Sequence, residues 1–226
     1  MNWDDTGYLI SKNKYNENSS IVEFFTKNHG KSSGIIFGSS SKKIKNYLQI
    51  GNKFHINYNS KNENKSGYFK IEIITPFSPY FFEDKQKLLC LTSSMKLIKI
   101  LTVESQSNQK TFFLLDELFE ILKSDNWIKR YIFWELNLLS LTGYDLNLDK
   151  IVKFEFINEK KKYFVESKTK KKYIPNFLVD LDVDEHEVKN LVAGLNIVGD
   201  YLEKSILKPN NINYPLDRTS FVNSLK

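Results

Sequence analysis

Apolar and polar residues alternate strictly over positions 53–59 and 69–73, and no other feature restricts the fold as tightly. Phe54, Ile56 and Tyr58 alternate with His55, Asn57 and Asn59, and Phe69, Ile71 and Ile73 alternate with Lys70 and Glu72. Successive side chains leave a strand on opposite faces, so each segment buries one face and wets the other. Three shorter apolar segments precede them: Tyr8-Leu9-Ile10, Ile21-Val22-Glu23-Phe24-Phe25 and Gly34-Ile35-Ile36-Phe37-Gly38. Five short strands within residues 7–75 predict a small closed or partly open barrel, of which the OB-fold is the common nucleic-acid-binding form. In the turn Asn28-His29-Gly30-Lys31, Gly30 supplies a positive φ. Residues 38–43 read as a flexible basic loop and residues 59–67 as a solvated hairpin loop.

Pro76 and Pro79 end the strand-rich part, because proline cannot donate to a sheet ladder. One domain is therefore expected at residues 1–76 and a second at 77–226. In the second, Leu88, Leu91, Met95 and Ile98 recur at helical spacing, as do Phe112, Leu115, Phe119 and Leu122. A third helix carries Trp127, Tyr131, Trp134, Leu138 and Leu141 on one stripe, with Asp125 as N-cap and Gly143 as its stop. A single stripe of that spacing reads as core. Residues 150–174 form a strand-like insertion. Val152, Phe154 and Phe156 alternate and pair back with Tyr163 and Val165, leaving two lysine triplets, 160–162 and 170–172, as basic tips. Asp182-Val183-Asp184-Glu185 has the form of a capping box. It would open a helix with Val188, Leu191, Leu195, Val198 and Leu202 inside, ended by Pro209. A short helix around residues 221–225 closes the chain. The predicted class is α+β: a five-stranded OB-fold barrel, then a mostly α-helical domain with a small β-hairpin insertion.

Charge is unevenly spread. The chain has a net charge of +6, and residues 1–75 hold eleven lysines against six acidic residues. A basic strand-rich segment points to polyanions, although a codon bias toward lysine would give the same excess. The lysines in question are Lys12, Lys14, Lys27, Lys31, Lys42, Lys43, Lys45, Lys53 and Lys70. On a single-strand surface lysines track phosphates and aromatic faces stack bases. Tyr15, Tyr47 and Tyr58, polar-ended and near loops, are the candidate platforms.

Catalytic signatures are missing. There is no phosphate-binding glycine loop, nucleophile elbow or His-Glu-x-x-His helix, and His29, His55 and His186 are scattered. Asp182, Asp184 and Glu185 read as acids favoured by a helix N-terminus rather than as a metal site. Cys90 stands alone, so neither an intrachain disulfide nor a cysteine zinc site can form, and it reads as buried packing. The expectation is a binding protein without cofactor or metal, not an enzyme. The N-terminus lacks a charged-then-apolar signal, and no apolar run approaches the roughly 18 residues of a membrane span. A cytoplasmic protein without a membrane partner is expected.

The order of parts resembles the bacterial RecO family of DNA repair proteins. The start Trp3-x-Asp5-x-Gly7-Tyr8-Leu9-Ile10-Ser11-x-x-x-Tyr15-x-Glu17-x-Ser19 is similar to that family's first strand. The run Phe25-Thr26-x-x-His29-Gly30-Lys31-x-x-Gly34-Ile35-Ile36-x-Gly38 is similar to its second and third strands. Trp134-Glu135-Leu136-x-Leu138-Leu139-x-x-x-Gly143-Tyr144-x-Leu146-x-Leu148 looks like its signature helix and following turn, and Leu216-Asp217-Arg218-x-x-Phe221-Val222 like its last helix. The resemblance implies an OB-fold followed by a helical domain. It also implies binding of single- and double-stranded DNA, annealing of complementary strands, and work with RecR to load RecA onto strands coated by single-strand-binding protein. Such a protein is nucleoid-associated. The DNA contacts would fall on Lys12, Lys14, Lys27, Lys31, Lys42, Lys43, Lys45 and Tyr15. The family also binds the acidic, apolar C-terminal tail of the coating protein. Arg130 is the residue expected to clamp the tail's carboxylate, with Lys129, Lys96 and Lys99 at the rim; an ion pair of Arg130 with Glu135 is the competing role. Many relatives carry a four-cysteine zinc site in the insertion. None of those cysteines is present here, so zinc is expected to be absent, and paired strands with Phe154, Phe156 and Tyr163 to hold the insertion together.

Two other classes compete. A generic RNA-binding OB protein would share the basic barrel, but has no need of the helical half. An enzyme would need a site that none of these motifs supplies.

Overall fold

The structure, a computed structural model, describes residues 1–61, 67–166, 171–183 and 185–226. Five strands close a barrel in the order β1-β2-β3-β5-β4: β1 (Asn2–Asn16), β2 (Ser19–Thr26), β3 (Gly30–Phe37), β4 (Lys53–Asn59) and β5 (Gly67–Thr75). β1 is far longer than its apolar triplet suggested, because it serves two neighbours. Its first half pairs β4, with Trp3 opposite Tyr58, and its second half pairs β2, with Lys14 opposite Ser20. A register shift between Leu9 and Ser11 marks the bulge at which the strand bends. Gly30 has the expected positive φ, +66°. Closure is parallel, β3 meeting β5 at Gly34–Gly67 and Ile35–Tyr68. Gly34 permits it: a Cβ there would lie 2.6 Å from the Phe69 ring. The alternation places Phe54, Ile56 and Phe69 in the core with Leu9, Val22, Phe24 and Ile36. Phe24 meets Phe54 and Phe69 edge to face at 5.6 and 5.2 Å.

Residues 38–43 are not wholly a loop. Ser41 caps a short helix, α1 (Lys42–Tyr47), its hydroxyl accepting the Ile44 N–H at 3.4 Å. Six residues are too few for a readable period, so the cap was the available signal. The hairpin loop expected over residues 59–67 falls largely on residues 62–66, outside the described residues.

The chain divides into two compact units, Met1–Phe119 with Pro215–Phe221, and Glu120–Tyr214 with Val222–Lys226. In the first, α2 (Lys85–Leu101) starts at Asp84, whose side chain accepts the Lys87 N–H, and packs against β1. It buries Cys90, Leu91, Met95 and Ile98. The third helix, α3 (Gln109–Lys123), follows, with Phe112, Leu115 and Phe119 buried.

In the second unit α4 (Trp127–Leu141) packs against α5 (Val188–Tyr201). The stripe Trp127, Tyr131, Trp134 and Leu138 is core, and Tyr131 stacks on Trp134 at 5.6 Å. Two expected caps are corrected. Asn126, not Asp125, stands at the N-cap of α4, without a side-chain bond. The run Asp182-Val183-Asp184-Glu185 does not open α5, which begins at Val188 behind Glu187; Asp184 lies outside the described residues. The last helix, α6 (Leu216–Ser224), starts before the predicted one.

The insertion is a three-stranded sheet: β6 (Lys153–Ile157), β7 (Lys160–Glu166) and β8 (Lys171–Ile174). Asn158 and Glu159 turn the chain between β6 and β7, with φ of 50° and 63°. Lys160, Lys161 and Lys162 are therefore strand residues and not a tip, and Lys170 lies outside the described residues. Phe154 and Phe156 do not hold the sheet together, being 57% and 69% exposed on an edge strand. Among the described residues of the sheet Tyr163, as expected, Phe164 and Ile174 are buried, and Lys161 Nζ lies 4.6 and 4.7 Å from the Phe154 and Tyr163 rings.

Candidate nucleic-acid interface

Antiparallel pairing brings the β1–β2 turn, the last residues of β3 and α1 to one end of the barrel. Asn18 ties them together. Its carbonyl accepts the Ser39 N–H at 3.1 Å and its side-chain oxygen the Ser40 hydroxyl at 2.7 Å. The Ser20 and Ser39 hydroxyls share a further bond of 2.8 Å. Lys14, Tyr15, Lys42, Lys43 and Lys45 stand exposed around this end. Lys12 is half-buried, its Nζ donating to the Leu48 carbonyl at the close of α1, 2.9 Å away. Burial, and then the neighbouring Lys45, push its pKa down. A phosphate beside the pair would reverse the second effect.

A cleft runs beside the lysines. Past Ile35 and Tyr68 the paired edges of β3 and β5 part, leaving about 330 Å³ lined by Ile36, Phe37, Ile44, Tyr68, Lys70 and Ile71. The Phe37 ring is 60% exposed, with the Tyr68 ring 6.1 Å away. These two rings were missed in the sequence, although the signal was there: Ile36 faces inward, so the alternation sends Phe37 out. Of the expected platforms Tyr15 is exposed, Tyr47 is half-buried near Phe54, and Tyr58 stacks on Trp3 at 4.9 Å.

The remaining barrel lysines lie elsewhere. Lys27 belongs to the β2–β3 turn at the opposite end, its Nζ 5.6 Å from the Phe113 ring. Lys31 donates to the carbonyls of Lys99 and Thr102, at 2.9 and 2.6 Å, and so caps the C-terminus of α2. A cation is favoured there by the helix dipole. Lys53 pairs with Asp116 at 2.6 Å, and Asp116 also accepts the Tyr8 hydroxyl. Burial, then Asp116, raise the Tyr8 pKa strongly, so that phenol stays protonated.

The four residues expected to meet an acidic tail have different surroundings. Lys96 and Lys99 belong to the first unit and Lys129 and Arg130 to the second. Lys99 is engaged by Glu23 and by the Ser11 hydroxyl, and Lys129 donates to the Val183 carbonyl at 2.8 Å. Lys96 is half-buried. Arg130 is exposed and has no side-chain partner among the described residues, so the competing ion pair with Glu135 does not form.

The chain matches the family model described as recombination protein O N terminal over residues 1–77, and recombination protein O C terminal over residues 83–211. It is similar to the DNA repair protein RecO of Wolbachia sp. subsp. Drosophila simulans (strain wRi). That relative is 27% identical over 233 residues, covering 95% of this chain and 96% of its own. The DNA repair protein RecO of Rickettsia peacockii (strain Rustic) is 37% identical over 150 residues, covering 66% of this chain and 63% of its own.

Proposed function

Because the chain belongs to the recombination protein O family, and so serves DNA repair, we propose that the lysine-rich end of its barrel binds DNA strands without regard to sequence. The observation that carries this reading is the convergence of Lys12, Lys14, Lys42, Lys43 and Lys45 beside a cleft that presents Phe37 and Tyr68. Lysines displace condensed counterions from phosphates, and exposed rings stack on bases of any identity. Two strands held with their charge neutralised approach each other more readily, which is the physical basis of annealing. Lys31, spent on α2, and Lys27, at the far end, fall outside this surface.

The wider role proposed is that of a mediator acting with RecR to load RecA onto strands coated by single-strand-binding protein, without catalysis. Arg130 would clamp the terminal carboxylate of that protein's acidic tail. The test is anisotropy of labelled single-stranded DNA across a salt series, with a labelled tail peptide alongside. Replacing Lys42, Lys43 and Lys45 by alanine is expected to lower the salt slope by about 2, at about 0.7 for each single-strand phosphate contact. Arg130→Ala is expected to lose tail binding and keep DNA binding. Equal affinity for RNA with no complex with RecR would favour a generic RNA binder instead.

A further inference from the structure

At the opposite end of the barrel, beside the β2–β3 turn, the first unit has a pocket of about 430 Å³. That volume is in the range of ligand sites. One wall is a three-ring stack: Trp3 lies 4.1 Å from His29 at 10° and 4.9 Å from Tyr58 at 20°. The Tyr58 end is closed. Gly67 sits so close that a Cβ there would lie 2.3 Å from the ring, and its N–H donates to the Tyr58 hydroxyl at 3.1 Å. The His29 end is open, with 31% of that side chain exposed.

The His29 ring is held in one orientation through its Nδ1. Its Nδ1 is 2.9 Å from Asp5 Oδ2, and its backbone N–H donates to the same oxygen at 3.2 Å. Burial alone would raise the Asp5 pKa, but bonds from His29, Asn28, Thr6 and Thr26 bring it below its ordinary value. An ionised Asp5 can only accept, so Nδ1 carries the proton and Nε2 is left for a ligand. Ser32, Ser33 and Ser105 add small polar groups to the pocket, and Glu104 adds an exposed carboxylate.

These groups select the ligand. Among the described residues the cation lining the pocket is the Met1 ammonium, which donates to the Ser60 carbonyl at 2.7 Å; no lysine or arginine lines it, and Glu104 repels a phosphate. A flat heteroaromatic ring with N–H donors suits all of them. Its face continues the stack on His29, its donors meet Glu104, and its other edge meets the serines. Guanine, with adjacent N1–H and 2-amino donors, matches the two oxygens of a carboxylate. Resting on the strand-binding reading for the source of the base, we propose that this pocket holds one unpaired nucleobase, guanine in preference, from a strand that is anchored at the lysine-rich end and long enough to run on to this one.

The test uses labelled thymidine oligomers carrying one central guanine, one hypoxanthine or one abasic position. The full chain is expected to bind the guanine oligomer roughly ten-fold more tightly than the abasic one, the size of one good bidentate contact. Hypoxanthine, lacking the 2-amino group, is expected to fall between them. Glu104→Gln, an exposed change that leaves the core intact, is expected to bring guanine down to hypoxanthine without altering the abasic oligomer. Equal affinity for the three oligomers overturns the pocket and leaves the strand-binding reading standing. If no oligomer binds, the strand-binding reading fails instead, and free guanosine decides the pocket. Quenching of tryptophan fluorescence that is absent in Trp3→Phe then supports a base site fed by free nucleosides, and no quenching overturns it.

Discussion

Asp5 shows how much one side chain organises. Its carboxylate, with 2% of its side chain exposed, accepts N–H groups from Thr6, Asn28 and His29 and so ties β1 to the β2–β3 turn. Its pKa is lower in the folded chain than in the unfolded one, so the stability it contributes is full above the unfolded value. That stability fades as pH falls through the folded one. Urea titrations from pH 6 downward are therefore expected to show a loss of stability beginning near about pH 4, with a smaller slope in Asp5→Asn. At pH 7 the same variant is expected to lose about 1–3 kcal/mol, the cost of buried donors left without their acceptor. A paired comparison separates two kinds of lysine. Lys31→Ala is expected to cost about 1–3 kcal/mol in denaturant titration, because α2 loses its cap, and to leave the salt slope of DNA binding unchanged. Lys43→Ala, exposed on α1, is expected to do the reverse. Both were merely lysines in a basic segment when read from the sequence. What divides them is whether a helix end lies within reach, a fact of tertiary structure.

At the level of elements, legibility followed the ratio of local to distant causes. β4 and β5 were plain because apolar and polar residues alternate in each, a pattern written into neighbouring residues, although in β5 it reaches the core at Phe69 and leaves Ile73 exposed. The aromatic stripe of α4 was plain for the same reason at the helical period. β1 was not, because its length comes from pairing with two different strands. The lysine end of the barrel was half legible: the charges were visible, but their assembly around Asn18, and the turning out of Phe37, needed the register. In the insertion Tyr163 is buried as expected, but Phe154 opposite it and Phe156 are exposed, since an edge strand's rings need not be covered. Its turn carries a testable cost. Glu159 sits at φ 63°, a conformation that L side chains adopt reluctantly. Glu159→Gly is expected to raise stability by roughly 0.5–1 kcal/mol, read as a higher melting temperature.

For the whole molecule, the zinc question and the barrel closure matter most. The insertion carries no cysteine, and its sheet is paired from β6 through β8 with a lysine–carboxylate pair between Lys153 and Glu166. The purified protein is expected to contain no stoichiometric zinc and to keep its melting temperature in the presence of a chelator; a fall of several degrees would sink the idea. The barrel itself is joined unevenly. Its antiparallel neighbours are paired along most of their lengths, whereas β3 and β5 meet, among the described residues, at Gly34–Gly67 and Ile35–Tyr68. A ring with one short joint works as a clasp, since parting that joint breaks the fewest bonds. Amide protons at this joint should trade with deuterium sooner than those of the β1–β2 pair, and a strand lodged beside Phe37 should hold the clasp shut and slow that trade.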